Sequence, residues 1–457
     1  MSRLYHTDLY HELREQYPFF VFQSYKIVEE KESLRLSFNF NLANKFTFEP
    51  SLRIPSRPFY RWHELSRKSI QQLAFHIGMV ELISYWKAAC PPRIIIKPFR
   101  LNPQQQQWWK KLYFHGLGEF FYVNGIEASM QDFMQIESDS DEALVPANNP
   151  LRPSALVPVG GGKDSVVSLE LIKGQGTDFV PFIVNPREAS LGCAETAGFL
   201  PDEMALVERN LDPELLRLNE AGFLNGHTPF SALLAFVAAM VAVGSGRKYI
   251  VLSNESSANE ATVAGTDINH QYSKSIDFER DFRDYCQSYL HEDLEYFSLL
   301  RPLNELQIGR LFSRQKPYFS RFKSCNVGSK TDQWCGQCAK CMFTWIILAP
   351  FLSAQTLTEI FGKDLSADES LLPLLRELAG YSEAKPFECV GTVAEVKAVL
   401  AFVVKQYKHE LPALYQAVGD YISPADLIQF DQALKDFDEL HHLPPHFLKN
   451  LKEVLNA

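Results

Sequence analysis

The sequence predicts an α/β fold built on a parallel, doubly wound sheet, with an N-terminal α+β domain ahead of it and a C-terminal helical region behind it. Three observations carry this expectation. An apolar run at 155–159 leads into Gly160, Gly161 and Gly162, and then into a helical pattern of Val166, Val167, Leu169, Leu171 and Ile172. From residue 155 to about 350, strand-like runs alternate with helical spacing; such alternation implies a parallel sheet covered on both faces. From about 351 onward the chain reads as amphipathic helices. The expected divisions are 1–150, 151–350 and 351–457.

Taken in order, residues 19–27 and 34–42 alternate as strands do, 69–89 has helical spacing, and 93–97 reads as a strand. The acidic stretch 137–142, followed by Asn148, Asn149 and Pro150, reads as a linker. Expected strands follow at 155–159, 179–184, 248–252 and 296–300, with helices after Ser165, Pro229 and Pro302. Polar clusters stand at three strand ends: Gly160 to Ser165, Asn185-Pro186-Arg187, and Ser253-Asn254-Glu255. Ligands of open α/β sheets bind beyond the carboxyl ends of the strands, so these clusters are expected to converge. Segments 371–378, 393–407 and 424–437 are amphipathic, with a loop at 385–391 between them.

Composition narrows the class. The formal net charge of −10 argues against broad nucleic-acid binding. No apolar run reaches spanning length, and 230–243 fits a buried helix, so no membrane partner is expected. The chain opens without an apolar signal segment, and its eight cysteines include a cluster of three. Both facts predict a cytoplasmic protein with a metal site in place of disulfides. Protein partners and oligomeric state are not legible.

The glycine turn carries the chemistry. Glycines let backbone N–H groups crowd round an anion with no Cβ in the way, and the helix start adds unpaired N–H groups and a positive dipole end. A P-loop would need Ser or Thr directly after Lys163, and Asp164 occupies that slot. Cys325, Cys335, Cys338 and Cys341 suit the four-thiolate preference of zinc, with free buried thiols and an iron–sulfur cluster as the other readings. A closed all-cysteine set points to a structural metal. In the segment 224–229, Thr228 and Pro229 read as helix cap and first helical residue, which leaves Asn225 and His227 unexplained. Asn254, Glu255, Asn259 and Glu260, then His270, Tyr272 and Lys274, lie in loops dense enough in polar groups to read a polyhydroxylated or carboxylated ligand; a solvated surface is the bland alternative. Glu279, Arg280 and Arg283 read as surface ion pairs.

Residues 160–165 resemble the Ser-Gly-Gly-x-Asp-Ser signature of the PP-loop ATP pyrophosphatases (the adenine nucleotide alpha hydrolase type), with Gly160 in place of the leading Ser. The cysteine spacing resembles that of the ATP pyrophosphatase that makes 7-cyano-7-deazaguanine, with a spacer one residue longer. Residues 157–165, 224–231, 252–260, 269–275, 334–341 and 385–392 together resemble the ATP-dependent UDP-N-acetylmuramoyl-L-alanyl-L-glutamate epimerases of peptidoglycan synthesis. That resemblance implies an isomerase that inverts the terminal L-Glu of a UDP-muramoyl dipeptide, consuming ATP with Mg2+ and releasing AMP and pyrophosphate. It implies that Gly160, Gly161, Gly162, Lys163 and Ser165 cradle phosphates, Asp164 binds magnesium, and Asn185 meets the adenine. Asn225, Asn254, Glu255, Asn259, Glu260 and Tyr272 are the expected substrate contacts. His227 is the leading proton-transfer base; His270, Lys274, Tyr272 and Cys389 are candidates for the second, with Cys193 an outlying one. Residues 1–150 are a candidate holder of the UDP-sugar. Two readings compete: another adenylating ligase or amidase, and a zinc-stabilised nucleotide-binding module without chemistry.

Overall fold

The computed structural model describes residues 6–56, 60–263, 265–382, 384–407, 411–419 and 422–456. The fold is α/β, with an eleven-stranded mixed sheet and a helical C-terminal region. The chain divides into two units, each gathered from separate stretches. The first holds Met1–Leu156, Ala205–Ile250 and Tyr272–Tyr296; the second holds Val157–Met204, Val251–Gln271 and Phe297–Ala457.

In the first unit, period-two patterning decides the sheet faces. Leu34, Leu36, Phe38, Phe40 and Leu42 are buried while Arg35 between them is exposed. Short connections make the N-terminal pairs antiparallel. Ser33–Leu42 lies between Phe19–Glu29 and Ser51–Pro55, and Ser51–Pro55 pairs with Ala205–Asn210. These pairs make the sheet mixed, where the sequence pattern after residue 155 suggested a parallel one. Parallel pairing holds for Phe19–Glu29 with Arg93–Ile96, for Arg93–Ile96 with Gln135–Ser138, and for Arg247–Leu252 with Arg152–Pro158. The acidic stretch expected as a linker therefore begins inside a strand.

The helix Arg67–Trp86 is capped by Ser66, whose hydroxyl accepts from the Ser69 N–H. Gly78 lets it approach the sheet: a Cβ there would lie 2.4 Å from Phe22 Cζ. A buried aromatic cluster of His76, Trp109, Phe236 and Tyr285 fills the same unit, with the Trp109 indole donating to the Tyr285 hydroxyl at 3.0 Å. The apolar helix starts at Phe230 with Pro229 in the cap position, so Thr228 is not the cap that its position suggested. Pro229 has no N–H to bond, and the Phe230 N–H instead reaches the Thr228 carbonyl at 2.7 Å.

In the second unit, Phe179–Val184 is buried along nearly its whole length, as a strand covered on both faces must be. The Val159 N–H donates to the Phe182 carbonyl at 2.9 Å, which fixes the glycine turn at that strand's carboxyl end. Asn185 follows with φ +52, a left-handed turn that Asn tolerates better than most residues. The helical region includes Ala339–Leu348, Val393–Gln406 and Pro424–Ala433; Phe402 and Phe430 stack between the last two with ring centroids 3.9 Å apart.

Candidate active site

The helix Lys163–Gly174 begins after Gly162, with no side chain capping its first N–H groups. Gly161 has φ +86, and a Cβ there would sit 2.8 Å from the backbone of Ala189 and of Ser190. Only glycine fits on both counts. Gly160 is exposed, and a Cβ there would meet nothing within 4 Å. The turn is tied down from outside: the Lys323 N–H donates to the Gly161 carbonyl at 2.8 Å, and the Ser165 hydroxyl donates to the Gly162 carbonyl at 2.9 Å. Cys193 donates its thiol to the same Gly161 carbonyl at 3.7 Å, and burial pushes that thiol up to about 12.

Lys163 is buried, with Nζ 2.5 Å from Asp164 Oδ1 and 2.5 Å from Glu305 Oε2. Burial works against its charge, but Asp164 and Glu305 outweigh it and lift the ammonium above the ordinary lysine range. Burial also lifts the Glu305 carboxyl, against the pull of Lys163, and Asp164, Glu255 and Glu395 add to the lift. Lys163 and Glu305 thus sit among further carboxylates, those of Asp164, Glu255 and Glu395. Glu395 is buried too, accepting from the Glu305 N–H at 2.7 Å and from the Thr392 hydroxyl at 2.8 Å.

The loops expected to read the substrate are partly built in. Arg301, fully buried, donates to the Glu255 carbonyl at 2.7 Å, and Asn254 donates to the Ser298 hydroxyl at 3.1 Å. Glu260 pairs with Lys385, whose N–H reaches the Thr262 carbonyl at 3.1 Å. Asn259 is exposed. The His270 N–H donates to the Thr262 hydroxyl at 3.0 Å. Burial raises the Glu388 carboxyl; Lys340 and His270 oppose the rise, and Cys389 and Cys338 reinforce it. His270 and Cys389 thus share Glu388 as a neighbour.

The four sulfurs of Cys325, Cys335, Cys338 and Cys341 lie within 4.8 Å of one another, with separations of 3.5–3.7 Å for three pairs. A tetrahedron with Zn–S near 2.3 Å has an edge of about 3.8 Å, so the sulfurs fit such an ion without rearrangement. Backbone N–H groups already point at sulfur, Gly328 to Cys325 at 3.1 Å and Gln337 to Cys335 at 3.4 Å.

Asn225, His227, Tyr272 and Lys274 belong to the first unit. His227 Nδ1 lies 3.4 Å from Glu119 Oε2. Lys87 donates to Asn225 Oδ1 at 3.1 Å and also to the Gly226 carbonyl. Burial drives the Lys87 ammonium down to about 8, with Cys90 and Glu119 opposing that fall and Arg209 adding to it. Tyr272 stacks on His115 with centroids 4.9 Å apart, and burial raises its hydroxyl well above the usual tyrosine value. Sequence reasoning missed Lys87, Glu119, Arg301, Glu305, Glu388 and Glu395. Only Glu395 left a signal, the capping box Thr392-x-x-Glu395; Glu305 stands 142 residues from its partner Lys163.

Among the described residues no helix is long and apolar enough to cross a membrane. The fold and site define an α/β protein whose glycine turn opens a helix at a strand end, beside a buried lysine–carboxylate cluster and a four-cysteine centre. Residues 11–299 match the model of the MurL N-terminal domain, and residues 321–427 match that of the MurL C-terminal domain. Three curated relatives are named UDP-N-acetyl-alpha-D-muramoyl-L-alanyl-L-glutamate epimerase. The protein of Xanthomonas oryzae pv. oryzae is 34% identical over 407 residues, 86% of this chain and 88% of its own. That of a Micromonospora species is 36% identical over 390 residues, 82% and 85% of the two chains. That of Salinispora tropica is 39% identical over 333 residues, 71% of each. The chain belongs to the MurL family.

Proposed function

We propose that this protein inverts the terminal L-Glu of UDP-N-acetylmuramoyl-L-alanyl-L-glutamate to D-Glu, driven by ATP, in peptidoglycan synthesis. The observation that carries the reading is family membership across both family domains, with relatives of that name aligned over 71–86% of the chain. ATP use in a PP-loop pyrophosphatase type of fold is supported by the strand, glycine turn and helix at 155–174, where the helix opens with no side chain capping its first N–H groups. The division of labour into residues 1–150, 151–350 and 351–457, and a cytoplasmic setting, belong to the same reading.

The chemistry has a physical logic. A carboxylate resists loss of its α-proton because the carbanion would form beside a negative charge. Attack of the substrate carboxylate oxygen on the α-phosphorus of ATP releases pyrophosphate and leaves an acyl-adenylate. The acyl group is then a better electron sink, so a base of modest strength takes the Cα proton. Return of a proton to the opposite face inverts the centre, and water splits the mixed anhydride into D-Glu product and AMP. Gly160, Gly161, Gly162, Lys163 and Ser165 hold the phosphates, and Asn185 meets the adenine. Magnesium held by Asp164 would neutralise charge on the departing pyrophosphate. His227 takes the proton, since imidazole exchanges protons near neutral pH. Cys325, Cys335, Cys338 and Cys341 hold a structural zinc ion.

The test is run in D2O with ATP, magnesium and the UDP-muramoyl dipeptide, following AMP and deuterium at the Glu Cα together. AMP with deuterium and a D-Glu product supports the reading. AMP without deuterium points to an adenylating ligase, and neither signal removes the substrate assignment.

A further inference from the structure

The His227 loop is held from two sides, by the short helix Gly118–Asn124 and by Lys87. Asn124 donates from Nδ2 to the Asn225 carbonyl at 3.2 Å. The Cβ position of Gly226 lies 3.1 Å from Phe120 Cδ2, so a side chain there would push the helix away. Lys87, itself buried, grips the loop through Asn225 Oδ1 and the Gly226 carbonyl. Glu119 sits on the same helix as Phe120 and Asn124, and its carboxylate faces His227 Nδ1 at 3.4 Å. Both side chains are largely shielded, with exposures of 13% for Glu119 and 26% for His227. The separation is long for a hydrogen bond, as such bonds often are before substrate binds.

We propose that Glu119 is a positioning residue for His227: it accepts the Nδ1–H, fixes that tautomer and leaves the Nε2 lone pair as the base. The inference rests on the epimerase reading with His227 as base, and it adds the group that sets the ring's state. In the step itself, the Cα–H bond breaks, its electron pair moves into the adenylated carbonyl, and the proton forms an N–H bond at Nε2. The imidazolium so formed carries a positive charge beside Glu119, which stabilises it. Lys87 keeps the loop in register and counters part of the Glu119 charge.

The experiment uses the full chain labelled with 15N-histidine, with His227→Gln to assign the ring signals. The expected result is a neutral Nδ1–H tautomer for His227 that shifts toward Nε2–H in Glu119→Ala. In D2O with ATP and the dipeptide, deuterium incorporated per AMP released falls in Glu119→Ala by about tenfold or more, given that a positioned base contributes 10²–10⁴. Glu119→Gln keeps an acceptor and the helix, and so recovers part of the tautomer signal and of the exchange even if Glu119→Ala folds poorly. An Nε2–H tautomer in the unaltered protein, or a tautomer and an exchange ratio unmoved in both variants, overturns the proposal. If the unaltered protein gives neither AMP nor deuterium, the epimerase reading fails, and the tautomer signal alone decides the Glu119 contact.

Discussion

Replacing Lys163 by Met should destabilise the protein more than replacing Glu305 by Gln, although the two residues form one ion pair. Lys163 is 4% exposed and Glu305 3%, so neither charge is solvated. Lys163→Met leaves Glu305 and Asp164 without their ammonium and keeps Glu255 and Glu395 nearby. Removing one partner of a buried pair costs about 3–5 kcal/mol, because the other charge is stranded. Glu305→Gln leaves Lys163 its contact with Asp164 at 2.5 Å, so its cost should be roughly 1.5–3 kcal/mol, near that of one charged hydrogen bond. Without Lys163 the Glu305 carboxyl, already raised, rises further. A group raised on folding gives its full stability below its unfolded pKa, about 4.3 for Glu, and loses it as pH climbs through the folded value. The Lys163→Met deficit should therefore be smaller near pH 5 and larger near pH 8. Thermal unfolding at both pH values is the assay; at about 2 °C per kcal/mol for a large domain, the expected Tm loss at pH 8 is about 6 °C or more. Equal losses in the two variants at pH 8, or a Lys163→Met loss independent of pH, would refute the stranded-charge argument.

Gly161→Ala should cost about 2–5 kcal/mol, from a left-handed backbone and contacts of 2.8 Å with the Ala189 and Ser190 backbone, whereas Gly160→Ala should stay within about 0.5 kcal/mol; denaturant unfolding of the pair checks this, and equal costs would remove the packing account of the turn. Metal analysis of the purified protein should find one zinc per chain, and Cys338→Ser should lose the metal and lower the Tm, as expected when binding energy is folding energy. A chain that unfolds at the same temperature with and without a strong chelator would contradict a structural ion. His227→Ala should release AMP with almost no deuterium at the Glu Cα, and normal exchange in that variant would remove His227 from the base role.

Local pattern carried much of this molecule. The alternation of Leu34 to Leu42, the run Phe179–Val184, the glycine turn and the cysteine spacing each appear as elements close to where the sequence puts them. Each is written within a dozen or so neighbouring residues, so periodicity and turn chemistry suffice to find it. The limits of local reasoning are visible at Thr228, where cap chemistry suggested a helix start that Pro229 takes instead, and at 137–138, where an acidic composition concealed a strand.

What the sequence by itself determined is therefore the α/β class, the glycine turn that opens a helix, the four-cysteine cluster and, through resemblance, the family. Only the tertiary structure decided which charges share a site. Lys163 meets Glu305 across 142 positions, Lys87 meets Asn225 across 138, and Glu119 faces His227 from a helix that no motif marks. Burial then decides what those contacts mean, because the same Lys–Glu pair is nearly silent in water and dominates its surroundings where no water can solvate the charges.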